Sequence, residues 1–368
     1  FRSTEVGNSY GRFMTTVTYP YDEQTQNWTN TSSYPNTKLK PERTKSWEVG
    51  LDARILNDIS LNLTYYRSNT YNQTFYADLS LSSGYSNIPI QSGNIMNEGL
   101  EMSLGYNKQW KDFSFNTNYT LTWNKNRVKR LADGVYNYAT GQPIQMPELS
   151  PLTYGHTDAR LILRVGGSMG DVYGQRLLKR DLNGYILNEE GVGLAMENKE
   201  TYLGSILPKM NMGWSLGFGY KGVNLGMTFT GRFGGIVISE TQSVLDAAGV
   251  SKVSADVRDA GGVQINQSKV SAQTYYQTIQ GTAAYYTYSA TNIRLGELSL
   301  SYTLPKKWFD NKVGMTVGLV GKNLWMIYCK APFDPELTTS AASNFYQGFD
   351  AYMLPSTRNF GFNVKFQF

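Results

Sequence analysis

The sequence has little of what a disulfide-bonded domain or a typical hydrolase is built from: one cysteine, Cys329, one histidine, His156, and charged side chains at only 17% of its 368 residues. A single cysteine excludes an internal disulfide framework and any site made of several thiolates. No apolar run approaches the roughly 18 residues that a spanning helix needs, and the mean hydropathy is −0.40. A membrane would therefore have to be crossed by strands. The net charge is only +5, and the Lys and Arg are scattered without a polybasic tract. That distribution argues against a nucleic-acid surface.

Aromatic residues are plentiful instead, at 14% of the chain, with 27 Tyr against 16 Phe and 7 Trp, and 36 glycines accompany them. Together with Asn, Ser and Thr, these suit short turns and strands with one wet face. Alternation confirms the impression in segments of about ten residues, the length of a tilted membrane strand. Trp47, Val49, Leu51 and Ala53 alternate with Glu48, Gly50, Asp52 and Arg54. After Asn57-Asp58, the residues Ile59, Leu61, Leu63 and Tyr65 alternate with Ser60, Asn62, Thr64 and Tyr66. The pattern returns at Leu100–Tyr106 and, beyond Lys111-Asp112, at Phe113–Trp123. It returns again at Leu161, Leu163 and Val165, at Met212–Tyr220, and at Val223–Phe229. A last hairpin joins Val313–Leu319 to Phe360–Phe368.

Charge placement identifies what the apolar face meets. Glu48, Asp52, Glu101, Arg160, Arg164, Arg232 and Lys365 all fall on the polar parity of their segments. An Arg or Lys facing lipid at mid-membrane costs about 2–4 kcal/mol, so this one-sidedness predicts a membrane wall. The apolar face is rich in Phe, Tyr, Trp and Met, where a soluble sandwich would favour branched aliphatics. Short connections at 57–58, 109–112, 166–170, 221–222 and 305–311 intersperse with long ones near 20–43, 77–92, 128–156, 179–207, 235–287 and 327–356. This asymmetry fits periplasmic turns and extracellular loops, and counting by it gives about twelve strands. A change of parity between Leu295 and Leu298 predicts a bulge near Gly296-Glu297.

Several stretches, in order along the chain, resemble the SusC-like (RagA-type) family of TonB-dependent outer-membrane transporters. They are LKPERTKSWEVGLD from Leu39, SGNIMNEGLEMSL from Ser92, DVYG from Asp171, NIRLGELSLSYTLP from Asn292, GKNLW from Gly321, FDPEL from Phe333 and LPSTRNFGFNVKFQF from Leu354. The resemblance implies an all-β, transmembrane antiparallel barrel of about 22 strands around a plug. Residues 1–368 would be the C-terminal part of that barrel, with the N-terminal extension, the plug and the first strands absent. It implies active import of oligosaccharides across the outer membrane with a SusD-like surface lipoprotein, driven by TonB-ExbB-ExbD through the missing N-terminal part. Import of oligopeptides by the same mechanism is the alternative cargo. A stand-alone passive pore or adhesin barrel is the alternative of another class. Neither a cofactor nor an enzymatic activity is implied.

Candidate ligand-contacting residues are the loop aromatics Trp28, Tyr34, Tyr71, Tyr76, Tyr85 and Tyr346, whose flat rings could stack on sugars. The stretch Asp181, Asn183 and Glu190 resembles the later part of a calcium loop, but Lys179 stands where the first carboxylate belongs. His156 lacks a local catalytic signature. Gly217–Gly222 matches GxGxxG in letters only, because no helix is expected after it.

Overall fold

The computed structural model describes residues 21–22, 27–28, 41–78, 87–132, 148–189, 193–310, 312–337, 339 and 346–368. Along the chain run β1 (Arg43–Ile55), β2 (Ile59–Asp78), β3 (Asn87–Trp110), β4 (Phe113–Ala132), β5 (Glu148–Thr153), β6 (Arg160–Arg164), β7 (Asp171–Leu178) and β8 (Met196–Ser205). There follow β9 (Met210–Tyr220), β10 (Val223–Phe233), β11 (Ile236–Ser239), the helices α1 (Glu240–Ala247), α2 (Lys252–Asp259) and α3 (Ala272–Ile279), and β12 (Thr287–Ser289). The chain closes with β13 (Asn292–Leu304), β14 (Gly314–Cys329), β15 (Phe349–Asp350) and β16 (Asn359–Gln367).

Nine of these form one open antiparallel sheet, in the order β16-β14-β13-β10-β9-β4-β3-β2-β1. Tight turns with two successive positive-φ residues join β1 to β2 and β9 to β10. Lys221 and Gly222 lie at φ 47° and 89°, and Leu56 and Asn57 at φ 52° and 62°. Two successive residues of positive φ match the twist of the strands they join. The bulge expected at Gly296-Glu297 is present: Thr228 pairs with Glu297 and Phe229 with Leu295, leaving Gly296 as the extra residue.

Cross-strand register makes the alternation a two-faced wall. One row runs Tyr119, Trp214, Phe229 and Leu295, and the next runs Leu216, Met227, Leu298 and Gly321. The adjacent inward row runs Asn118, Ser215, Thr228 and Glu297. Apolar outward residues such as Val49, Trp214, Leu319 and Phe362 are exposed, as a lipid-facing surface must be. Thr117 is a polar residue on that face, and its hydroxyl is satisfied by donating to the Ser215 carbonyl and accepting from the Trp214 indole, 3.0 and 2.9 Å away.

The height of the band follows from the same rows. Trp110, Phe113, Tyr220 and Tyr302 form the periplasmic aromatic girdle, and Trp47, Tyr65 and Trp123 the extracellular one. Along β4 the two girdles lie ten residues apart, at Phe113 and Trp123. At about 3.4 Å per residue and a tilt of about 40°, the band is roughly 26 Å tall, as a membrane strand requires. Lys108 has the outward parity near the lower girdle, and its ammonium turns to Asp58 in the adjacent periplasmic turn. This is the snorkelling expected of a long cation at the rim.

Two expectations change. The strands Leu161–Val165 and its partner are not part of the wall; they are β6 and β7 of a separate four-stranded sheet, ordered β8-β7-β6-β5. At five and eight residues they are too short to cross, and Leu161, Leu163 and Val172 are completely buried. The turn at 166–170 accordingly lies at the extracellular end, where Gly166 and Gly167 exchange backbone hydrogen bonds with Val128 of β4. Nine described strands therefore build the wall, where the loop asymmetry predicts about twelve, and residues 1–20 lie outside the described ones. The long connections are also more ordered than expected. β2, β3 and β4, at 20, 24 and 20 residues, rise well beyond the membrane, and 235–287 folds into α1–α3 with short strands.

Candidate functional site

The candidate site lies at the extracellular mouth. Its core joins Ile95 and Val128 of the raised wall to Leu149, Tyr154, Leu161, Leu163, Val172, Ile206, Ile238 and Phe349. A second core, with Leu178, Leu194, Ile265, Tyr276, Ile279 and Tyr286, attaches the helical unit to the end of the four-stranded sheet. Ser239, Ser251 and Ser271 cap α1, α2 and α3 by accepting from the amides of Gln242, Ser254 and Thr274. Asp158 pins sheet to helices: its carboxylate accepts from the amides of Gln175 and Ala283 at 3.1 and 2.6 Å and lies 3.7 Å from the Arg176 guanidinium.

Where the inner wall meets the loop after β14, Arg294 forms the centre of a buried polar cluster. Its guanidinium donates to both Asp334 oxygens, at 3.0 and 2.7 Å, and to the Asn292 side-chain oxygen at 3.2 Å. Glu336 lies 3.4 Å from it and also accepts from the Asn292 amide at 3.0 Å. Burial alone would push the Asp334 carboxyl up, but hydrogen bonds from Arg294, the Glu336 amide and Ser356 hold it below the usual carboxylate range. The contribution of this pair is therefore fully present above the unfolded carboxylate value of about 3.9 and is lost as pH falls through the lower folded value. Amide exchange at 333–337, corrected for intrinsic rates, is expected to stay slow down to about pH 4 and to accelerate below it. Exchange unchanged to pH 2 would contradict that linkage.

Of the expected ligand aromatics, only Tyr71 and Tyr346 have described side chains, and they lie in different surroundings. Tyr346 is half-buried against the core, edge-on to Tyr154 with ring centres 6.1 Å apart. Tyr71 sits on the outward parity of β2 with the Lys45 ammonium 5.9 Å from its ring centre. Trp28 pairs with Tyr21 in a two-residue ribbon and Tyr76 pairs with Pro89 in the β2–β3 ladder. Tyr34 and Tyr85 lie outside the described residues.

The Asp181 carboxylate is turned inward on its own loop, accepting from the amides of Asn183 and Tyr185 at 2.9 and 2.8 Å, with Gly184 at φ 82°. Asn183 is exposed beside it, and Glu190 lies outside the described residues. No cluster of three metal-ligating side chains occurs among the described residues. His156 lines a cavity of about 550 Å³ with Arg176, Glu240, Ser243, Gln277 and Tyr352. Ser243 is buried there, and its hydroxyl oxygen accepts from the Gly281 amide, a structural bond that holds the turn after α3.

The residues missed by sequence reasoning are those of the Arg294 cluster. Both halves, NIRLGE and FDPEL, are visible as motifs, but 40 positions separate Arg294 from Asp334. The only local signal is that Arg294 occupies an inward parity shared with polar partners.

Comparison with known proteins agrees with this architecture. The family described as TonB dependent receptor-like, beta-barrel matches residues 1–324. TonB-dependent receptor P3 of Formosa agariphila is 26% identical over 365 residues, covering 91% of this chain and 35% of that protein. TonB-dependent receptor SusC of Bacteroides thetaiotaomicron is 26% identical over 132 residues, covering 35% of this chain and 12% of that protein. Among solved structures, the RagAB peptide importer in its open-open state superposes with a TM-score of 0.67 at 19% identity, over 97% of this chain and 38% of that one. The chain thus spans about 35% of the length of the first of these relatives. It belongs to the TonB-dependent receptor β-barrel family, with SusC among its relatives, and is part of an outer-membrane barrel.

Proposed function

We propose that residues 1–368 are the C-terminal part of the barrel of a TonB-dependent importer. In this reading the edges of β1 and β16, unpaired among the described residues, are completed by further strands of the barrel, and the lumen holds a plug. An unpaired edge in lipid would leave a row of backbone groups unsatisfied, at several kcal/mol each. A SusD-like lipoprotein captures the ligand over the mouth, and TonB-ExbB-ExbD supplies the energy that moves the plug.

Oligosaccharide is the cargo that the inner wall suits best. The observation carrying this is the inward rows, where Asn62, Ser103, Asn116, Asn118, Thr120, Ser215, Thr228 and Ser299 outnumber charges and offer neutral donors and acceptors. Such rows match the hydroxyls of a neutral glycan better than the termini and side chains of a peptide. Peptide is the second reading, favoured by the likeness to RagAB, which is a peptide importer. Deleting the full-length receptor should abolish growth on the oligosaccharide its host imports and leave growth on peptides unchanged. The reverse pattern would replace glycan by peptide, and unchanged growth on both would remove the importer reading.

A further inference from the structure

Directly above the extracellular girdle, the outward face of the first four strands changes from aromatic to basic. Register places Trp47, Arg67, Glu98 and Lys125 side by side in one row, immediately beyond Val49, Tyr65, Leu100 and Trp123. The next row is Lys45, Asn69, Met96 and Arg127, of which Met96 is buried, and the one after runs Arg43, Tyr71, Asn94 and Arg130. Six cations and one carboxylate therefore lie within three rows. Neighbouring strands are about 4.8 Å apart and same-face residues about 7 Å apart along a strand, so the patch measures roughly 15 by 15 Å.

Three of these cations, Arg43, Lys45 and Arg67, have no carboxylate partner among the described residues. Glu98 is 3.9 Å from Lys125, the outer limit of an ion pair, and Arg127 donates to the Gly166 carbonyl at 3.3 Å. Lys45 is left over the Tyr71 ring. Arg43, Lys45, Lys125 and Arg127 are exposed. Parity excludes the lumen as their target, because the same strands turn Tyr66, Gly99 and Asn124 inward at this level. What lies beside an outward residue just above an aromatic girdle is the headgroup layer of the outer leaflet.

We infer that this patch binds the phosphate groups of an outer-leaflet glycolipid. Arg guanidinium forks and Lys ammonium groups are the usual phosphate donors. The aromatic row beneath them, including the Trp47 and Tyr65 rings at 5.5 Å, supports the acyl end of the same molecule. One ligand with anionic headgroups and lipid tails thus meets both halves of the surface. A soluble anion would meet only the upper half.

The test uses the full-length receptor in phosphatidylcholine nanodiscs doped with either diphosphoryl lipid A or its dephosphorylated form. Retained lipid is counted by native mass spectrometry. The wild type should retain the diphosphoryl form about tenfold over the dephosphorylated one. The combined Lys45→Gln, Arg67→Gln, Lys125→Gln variant should lose that preference. Lys45→Arg, Arg67→Lys, Lys125→Arg, which keeps the charges, should keep it. Equal retention of both lipids by the wild type, or a full preference in the glutamine variant, would overturn the assignment.

Discussion

Replacing Arg294 by Met is expected to destabilise the mouth by about 3–5 kcal/mol, among the largest effects of any single substitution in the chain. The Arg294 and Asp334 side chains keep only 11% and 8% of their exposure, so removing the cation leaves a largely buried carboxylate without its charge partner. Asn292 would lose the acceptor role it plays toward the guanidinium, and Glu336 would lose its nearest cation. The double variant Arg294→Met, Asp334→Leu should recover most of the loss, because no buried charge then remains unpaired. Denaturant unfolding of the receptor in lipid vesicles, with proteolysis at 333–337 as a local readout, measures both. A single variant costing under about 1 kcal/mol, or a double variant worse than the single one, would mean that the cluster is solvated and not a buried anchor.

The second large effect concerns the wall. Met227→Arg places a cation in the middle of the outward face, between Leu216 and Leu298, and should cost about 2–4 kcal/mol. Thr228→Arg, one residue on, points into the lumen between Ser215 and Glu297 and should cost under about 1 kcal/mol. The contrast between adjacent positions matters more than either number, since a soluble sheet with a wet outer face would tolerate Met227→Arg readily. Equal costs at the two positions would mean that the apolar face meets something other than lipid.

Much of the wall was legible in the sequence because a strand advertises its two faces every second residue. Trp47 to Ala53, Ile59 to Tyr65 and Met212 to Tyr220 kept in structure the parity they show on paper. The bulge at Gly296 was legible for the same reason, as a parity that changes. Alternation says nothing, however, about what buries the apolar face. Leu161 and Leu163 alternate like a membrane strand, yet they pack on Ile95, Val128 and Tyr154 in a core above the membrane. Length was the better discriminator, since β6 has only five residues.

The helices of 240–279 escaped detection for a different reason. Each has eight residues, too few for a 3.6-residue period to stand out, although a capping serine precedes each one at Ser239, Ser251 and Ser271. The candidate ligand residues were chosen by type and loop position, and the two with described side chains lie apart from one another. Tyr346 went to the core, Tyr71 to the outer surface. The Arg294 cluster could not be assembled from sequence at all, because nothing local in NIRLGE states which distant carboxylate it will meet.

The central claim is that the nine-stranded sheet is a membrane wall whose odd residues in β10 face lipid and whose even residues face the lumen. Single cysteines at positions 223 to 230, introduced after Cys329→Ser and labelled with a fluorophore in reconstituted vesicles, test it most directly. Lipid-borne quencher should act at Val223, Leu225, Met227 and Phe229, and aqueous quencher at Asn224, Gly226, Thr228 and Thr230. Quenching without a two-residue period, or with the two sets exchanged, would contradict the account.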